Sequence, residues 1–376
     1  MFTATMVPST VTVINSKNTK HMQTETSPPK TTKNNKPVII WLGIGVGMLM
    51  VQILLGGITR LTGSGLSITE WAPLMGTLPP LNAHAWQQSF EQYQQIAQFK
   101  KLNSTFTLAD YQSIFFWEWL HREWARLMGL VFLVPFVVFV LQKRISRAMV
   151  KPLAVLFLLG ILQAAIGWIM VKTGLNDNDT AVNPVALAVH FICALCLMSW
   201  LVWMLLQLAV NKHQVVHRPV LRTVNIGLLV LLFFQLIYGA LMAGSHAALY
   251  AATWPDINGA FIPDGLFTAG NKAKQFYSNP LVIQVVHRSL AYLLGLGTLL
   301  WFYLADKSIT KGWLKKFSRV PVILVFMQII LGIMALVNSP FAGAIGFSVA
   351  HQFTGMLLLV SLLVTTFLCG KSGETV

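Results

Sequence analysis

Residues 117–130 read WEWLHREWARLMGL, and residues 283–296 read IQVVHRSLAYLLGL. Each is the start of a long apolar run with a histidine near one end and an arginine directly after it. Each passes through a glycine eight residues beyond the histidine. A run of about 20 mostly apolar residues is what a helix needs to cross a bilayer. Working outward from these two, six further runs appear. The eight span roughly 38–59, 113–142, 150–171, 184–208, 221–243, 280–304, 318–338 and 344–369. Backbone polar groups at membrane depth have no water to bond, so the runs are helices. The composition agrees: 55% of the 376 residues are hydrophobic and only 10% are charged. So few charges cannot cover a soluble particle of this size, which excludes a soluble enzyme, a nucleic-acid binder and a disordered chain. The expected fold is an all-α integral membrane protein with eight transmembrane helices.

The net charge of +15 is topological. Segments 1–37, 143–151, 209–222, 305–319 and 370–376 are short and basic. Segments 60–112, 172–183, 244–279 and 339–343 are longer or nearly uncharged. Eighteen of the 27 Lys and Arg fall in the basic set, against only Glu25, Asp306 and Glu374 among the acids. The positive-inside rule places that set in the cytoplasm, so both termini are expected inside. Residues 1–37 hold five Lys and no Arg and lack an apolar signal core. They read as a disordered cytoplasmic tail, and favour a bacterial plasma membrane over the mitochondrial inner membrane.

The chain repeats itself. Gln52-x-x-x-Gly56 matches Gln235-x-x-x-Gly239, and Gln163-x-x-x-Gly167 matches Gln328-x-x-x-Gly332. His121 matches His287, and His190 matches His351. Trp71 and Trp254 each follow a repeated Gln by nineteen residues. Four crossings per half keep both halves in one orientation, so the expected architecture is two parallel-repeat four-helix bundles, 38–208 and 221–369. Small residues such as the repeated glycines permit close helix contact, and that alone accounts for the Gln-x-x-x-Gly pattern.

Four of the nine histidines lie within apolar runs, at one depth toward the outer face. Ionisable groups inside a membrane are functional candidates. Neutral imidazole ligates metals and haem iron. Two histidines per half are too few for a zinc or copper site, which wants three or four ligands. They suffice for haem, whose ring supplies four nitrogens itself, and two per half imply two haem sites. The cysteines Cys193, Cys196 and Cys369 sit in apolar runs and read as core residues.

The halves differ where a matching repeat would make them alike, and Arg126 is matched by Tyr292. Glu118 stands three residues before His121, on the same helix face, where the second half has Gln284 before His287. A titratable group beside one site and a neutral amide beside the other suggests one reactive and one supporting site. Glu118 pairing with Arg122 at i,i+4 is the plainer reading. Arg60, Arg122, Arg126 and Arg288 are candidates for holding haem propionates, since Arg matches carboxylates bidentately. Loop 60–112 is too long for a connector and is expected to cover the outer mouth of the first half.

At these residues the chain resembles the haem A synthase family of integral-membrane oxidoreductases. GGITRLTGSGLSITEW at 56–71, GTLPPL at 76–81, FFWEWLHREWARLMGL at 115–130, LQAAIGWIMVKTGL at 162–175 and NPVALAVHF at 183–191 carry the first half of that resemblance. VVHRSLAYLLG and IGFSVAHQFTG carry the second. The resemblance implies oxidation of the haem O methyl group to a formyl group by successive hydroxylations, for cytochrome oxidase biogenesis. It implies His121 and His190 as ligands of the substrate haem, His287 and His351 as ligands of a cofactor haem b, and Glu118 as the essential acid. Haem O synthase and an electron-transfer partner in the membrane are the implied partners, with no nucleic acid; a homo-oligomer stays open. The cysteine pair that some members carry in the first outer loop is missing here. A di-haem b-type cytochrome carrying electrons from quinol is the alternative. It is disfavoured because all four histidines lie toward one face. A haem transporter, with its site between the halves at the midplane, ranks lower still.

Overall fold

The structure is a computed structural model, and it describes residues 36–70, 75–267, 269–341 and 344–370. The expected basic tail therefore lies outside the described residues, apart from Lys36 and Pro37, and so does Trp71. The described residues form twelve α-helices: α1 (Lys36–Leu61), α2 (Ala83–Gln94), α3 (Ala97–Leu102), α4 (Leu108–Leu141), α5 (Arg147–Lys172), α6 (Pro184–Ala209), α7 (Pro219–Gly244), α8 (Lys272–Ser278), α9 (Pro280–Ser308), α10 (Trp313–Phe317), α11 (Val320–Val337) and α12 (Ala344–Leu368). Eight are long and apolar enough to cross a membrane: α1, α4, α5, α6, α7, α9, α11 (counted from Trp313) and α12. The eight sequence runs match them closely. Asn-Pro pairs start two of them. Asn183 caps α6 by accepting from the Val185 and Ala186 N–H groups, and Asn279 does the same for α9. Proline then occupies the first helical position, where its missing N–H costs nothing.

The one large boundary difference is at α4, which begins at Leu108 rather than near 113. Thr107 and Asp110 form a reciprocal capping box there. The extra turn carries Tyr111, Ile114 and Phe115 into a small core with Phe90 and Tyr93 of α2. The long loop thus has its own hydrophobic centre, built on the projecting end of α4.

The eight long helices pack as two closed cycles. In the first, α1 packs on α4 and α6, and α5 joins α4 to α6. In the second, α7 packs on α9 and α12, and α11 joins α9 to α12. The cycles meet where α6 packs on α7 and α12, and where α1 packs on α12. Ile53, Leu195, Met198, Leu232, Met356 and Leu359 are buried along that seam. Two polar side chains fasten it. Gln352 donates to the Ile53 carbonyl at 2.8 Å, from α12 to α1. Asn225 of α7, fully buried, donates to the Leu362 carbonyl and to the Thr365 and Thr366 hydroxyls of α12.

Candidate functional site

A single cavity of about 1350 Å³ runs through the bundle, and all four membrane histidines line it. Each sits in the same local arrangement. The Gln52 amide nitrogen lies 3.3 Å from both ring nitrogens of His121. The Gln163 amide lies 3.1 Å from His190 Nδ1 and donates to the His190 carbonyl at 2.7 Å. Gln235 stands 3.2 Å from His287 Nε2, and Gln328 3.3 Å from His351 Nε2. One turn after each Gln is the glycine of the repeated pattern. A Cβ added at Gly56, Gly167, Gly239 or Gly332 would come within 3.1, 2.8, 3.4 or 2.9 Å of the imidazole Cε1 of His121, His190, His287 or His351. The glycines therefore admit a histidine ring against the helix rather than a neighbouring backbone, which is a different use from the helix contact expected from sequence.

The second pair can be measured directly. The His287 and His351 ring centroids are 6.4 Å apart and inclined at 69°. Two metal–imidazole bonds of about 2 Å and the two ring radii span about 6 Å, so one iron fits between these rings. His351 donates its Nδ1–H to the Gln328 carbonyl at 3.0 Å, which leaves Nε2 as the lone-pair nitrogen a metal requires. His287 Nδ1 and the side-chain amide oxygens (Oε1) of all four glutamines are buried with no partner. These orphaned groups, and glycine cradles that fill if a Cβ is added, suit a pair of planar macrocycles. In the first cycle His121 and His190 line the same cavity, close enough to interact electrostatically. Among the described residues no group of three or more His, Cys, Asp or Glu converges to hold a bare ion.

Glu118 is 3% exposed, and both its oxygens are taken. Ser67 Oγ donates to Oε2 at 2.8 Å, and the Ile68 N–H donates to the same oxygen at 2.9 Å. Arg122 donates to Oε1 at 2.7 Å. Three hydrogen bonds thus satisfy both oxygens of this buried carboxyl group. Arg122 reaches on to the Ile68 and Glu70 carbonyls at 3.1 Å each. The second cycle repeats this with the polarity reversed. Gln284 donates to the Ala247 and Ala251 carbonyls at 3.2 and 3.1 Å, and its oxygen accepts from Arg288. Arg288 in turn donates to the Thr253 and Asp256 carbonyls at 2.7 and 2.8 Å. Each half thus ties its loop down through the residue three before the first histidine. The loop offers a hydroxyl and an N–H where that residue is Glu, and carbonyls where it is Gln.

The four candidate arginines separate in the structure. Arg122 and Arg288 are engaged by loop carbonyls. Arg126 forms an ion pair with Glu123. Arg60 lines the cavity at the end of α1 and has no hydrogen bond or ion pair among the described residues. His246 also lines the cavity, in the left-handed conformation at φ +50°. Burial, then the charge of Arg60, pushes its imidazole below the ordinary value. The sequence reading did not find Ser67 or Ile68. Their signal was present in TGSGLSITEW, but a loop donor is visible only once its acceptor is placed. Leu61, Gly63, Leu66 and Gln98 of the 60–112 segment line the cavity.

The family model described as cytochrome oxidase assembly protein matches residues 39–363. The chain belongs to that family. A haem A synthase of Parvibaculum lavamentivorans is 42% identical over 289 residues, 76% of this chain and 83% of the relative. Those of Rhizobium rhizogenes and Maricaulis maris are 40% and 37% identical, over 81% and 90% of this chain and 83% and 98% of theirs. Family membership fits what the site can do, since four imidazoles and two anchored loops enclose a cavity large enough for porphyrins.

Proposed function

We propose that this protein is a haem A synthase, a multi-pass membrane oxidoreductase that converts the methyl group of haem O to a formyl group in the assembly of cytochrome oxidase. The observation that carries it is one cavity with two histidine pairs in matching seats, of which only one has a buried glutamate, Glu118, beside it. In this reading the two cycles are parallel repeats, and the end carrying the long loops faces outside, with both termini in the cytoplasm of a bacterial cell. His287 and His351 hold a haem b cofactor that supplies one-electron redox chemistry when bound. His121 and His190 hold haem O and set its ring across the first cycle.

Glu118 then has two tasks. Its carboxyl group anchors Ser67 and Ile68, so the loop keeps water from the first-half cavity. Its Oε1 is paired with Arg122, and it stands three residues before His121 on the same helix face. Arg60, with its donors free, is the best placed of the arginines to take a propionate; Arg122 and Arg288 act mainly on the loops, and Arg126 stands behind its own ion pair. Haem O reaches the protein from its synthase, and electrons leave to a membrane partner.

The test is expression with a haem O synthase in a host that makes no haem A, followed by haem extraction. The expected result is haem A with hydroxylated intermediates. A haem-loaded protein that yields neither would refute the reading and would favour a di-haem electron carrier. His287→Ala is expected to remove the b-type spectrum of the second half, and an unchanged spectrum would refute that ligand.

A further inference from the structure

The two cycles differ in how they close. In the second, α9 packs along α11, and a Cβ on Gly295 would meet Ile329 at an ordinary 3.5 Å. In the first, α4 meets α5 over a much shorter stretch. Gly129 is the counterpart of Gly295, eight residues past the histidine in each helix, and nothing lies within 4 Å of its Cβ position. The counterpart of Ile329, directly after the glutamine, is Ala164. One turn further along α5 stands Gly160, again with nothing within 4 Å, where the second half has a buried Val325. Two side chains of the second half, Ile329 and Val325, are thus replaced by an alanine and a glycine, beside a glycine (Gly129, Gly295) that both halves share.

The space left is continuous with the histidine cavity and with the lipid-facing surface. Gly129, Gly160, Ile161 and Ala164 all line the cavity. Gly160 and Ala164 are exposed as well, and Ile161 is 55% exposed. Toward the basic end the opening stops at Phe132 and Phe157, whose rings stack at 5.8 Å and 7° and join α4 to α5. From His121 to Gly129 is eight residues, about 12 Å along the helix. The opening is an apolar slot that starts at the level of the histidines and runs inward, facing hydrocarbon.

We propose that this slot between α4 and α5 is a lateral binding groove for the long isoprenoid substituent of the substrate haem, through which that haem enters from the bilayer. The proposal rests on the haem O reading of the first half. An aliphatic chain gains little by leaving lipid for protein, so the groove acts by shape: it lets the chain stay in hydrocarbon while the macrocycle sits between His121 and His190. The second half has no such slot, which suits a cofactor that stays in place and has no long chain.

The experiment uses the full chain in lipid nanodiscs, with Cys193→Ala, Cys196→Ala and Cys369→Ala as background and Gly160→Cys added. A membrane-permeant maleimide is expected to label this position. Haem O should slow labelling at least about tenfold, whereas protohaem, which has no isoprenoid chain, should leave it unchanged. Equal protection by both haems would mean that the macrocycle itself covers the slot, and would overturn the proposal. Haem O binding, seen in its optical spectrum, without any protection would overturn it too and leave the proposed function standing. No spectral sign of haem O binding would overturn both. Independently, Ala164→Ile should weaken haem O binding at least about fivefold, the overpacking loss expected when the added side chain and the isoprenoid chain compete for one slot. It should leave protohaem binding and the second-half spectrum as they are; unchanged haem O affinity would count against the groove.

Discussion

Gly332→Ala isolates the seat of one histidine. The added methyl would lie 2.9 Å from His351 Cε1 and 3.3 Å from Nδ1, whereas carbon atoms at rest stand about 3.5–4.0 Å apart. The ring must therefore retreat by at least about 0.6 Å. It is held on that same edge, because Nδ1 donates to the Gln328 carbonyl at 3.0 Å, and a retreat stretches that bond. Overpacking of this kind costs about 1–3 kcal/mol, or roughly 5- to 150-fold in haem affinity if the whole cost falls on the ligand site. The helix itself should not suffer, since Ala is favoured over Gly in a helix interior by about 1 kcal/mol. Gly227, with open space around it, is the matched control, and Gly239, whose Cβ would sit at an ordinary 3.4 Å, is the internal comparison. Haem content and the reduced-minus-oxidised spectrum of the purified variants provide the assay. The expected order of damage is Gly332→Ala well above Gly239→Ala, with Gly227→Ala silent. Full haem occupancy and an unshifted spectrum in Gly332→Ala would refute the claim that the glycine exists to admit the ring.

Other expectations follow from the same geometry. Glu118→Gln should keep both haems but lower haem A output about a hundredfold or more, as loss of a positioned acid–base group does; Ser67→Ala, which removes one of three donors, should lower it about tenfold. Normal haem A output from Glu118→Gln would remove the carboxylate from the mechanism. His246 has a folded-state pKa below its ordinary 6.5, so the unfolded chain binds its proton first. Its contribution is complete above about pH 6.5 and is lost as pH falls from there toward the folded value. Thermal stability should therefore drop less on acidification in His246→Gln than in the parent, and parallel pH profiles would contradict this. Asn225→Ala removes three bonds between α7 and α12; at about 0.6 kcal/mol for a typical interhelical bond in a membrane, it should cost about 1–2 kcal/mol in a denaturant titration without changing haem spectra. A changed spectrum with unchanged stability would show that Asn225 serves the site and not the seam.

Much of this molecule is legible in its sequence because the bilayer leaves few options. A long apolar run must be a helix, so eight runs gave eight spanning helices, and the local periodicity of histidine, glutamine and glycine exposed the four matching seats. Glu118 stood out for the same reason, as a carboxylic acid three residues before a repeated histidine where the other half has Gln284. What the sequence could not supply are contacts between residues far apart in the chain. Ser67 and Glu118 are 51 residues apart, and Gln352 and Ile53 are 299 apart. That Glu118 is fully bonded by a loop, that Arg122 and Arg288 are turned toward loop carbonyls while Arg60 is left with free donors, and that Gly129 faces open space while Gly295 faces Ile329, were decided by how the helices pack. A glycine has the same letter whether a ring, a helix or lipid lies against it, and only the tertiary structure says which.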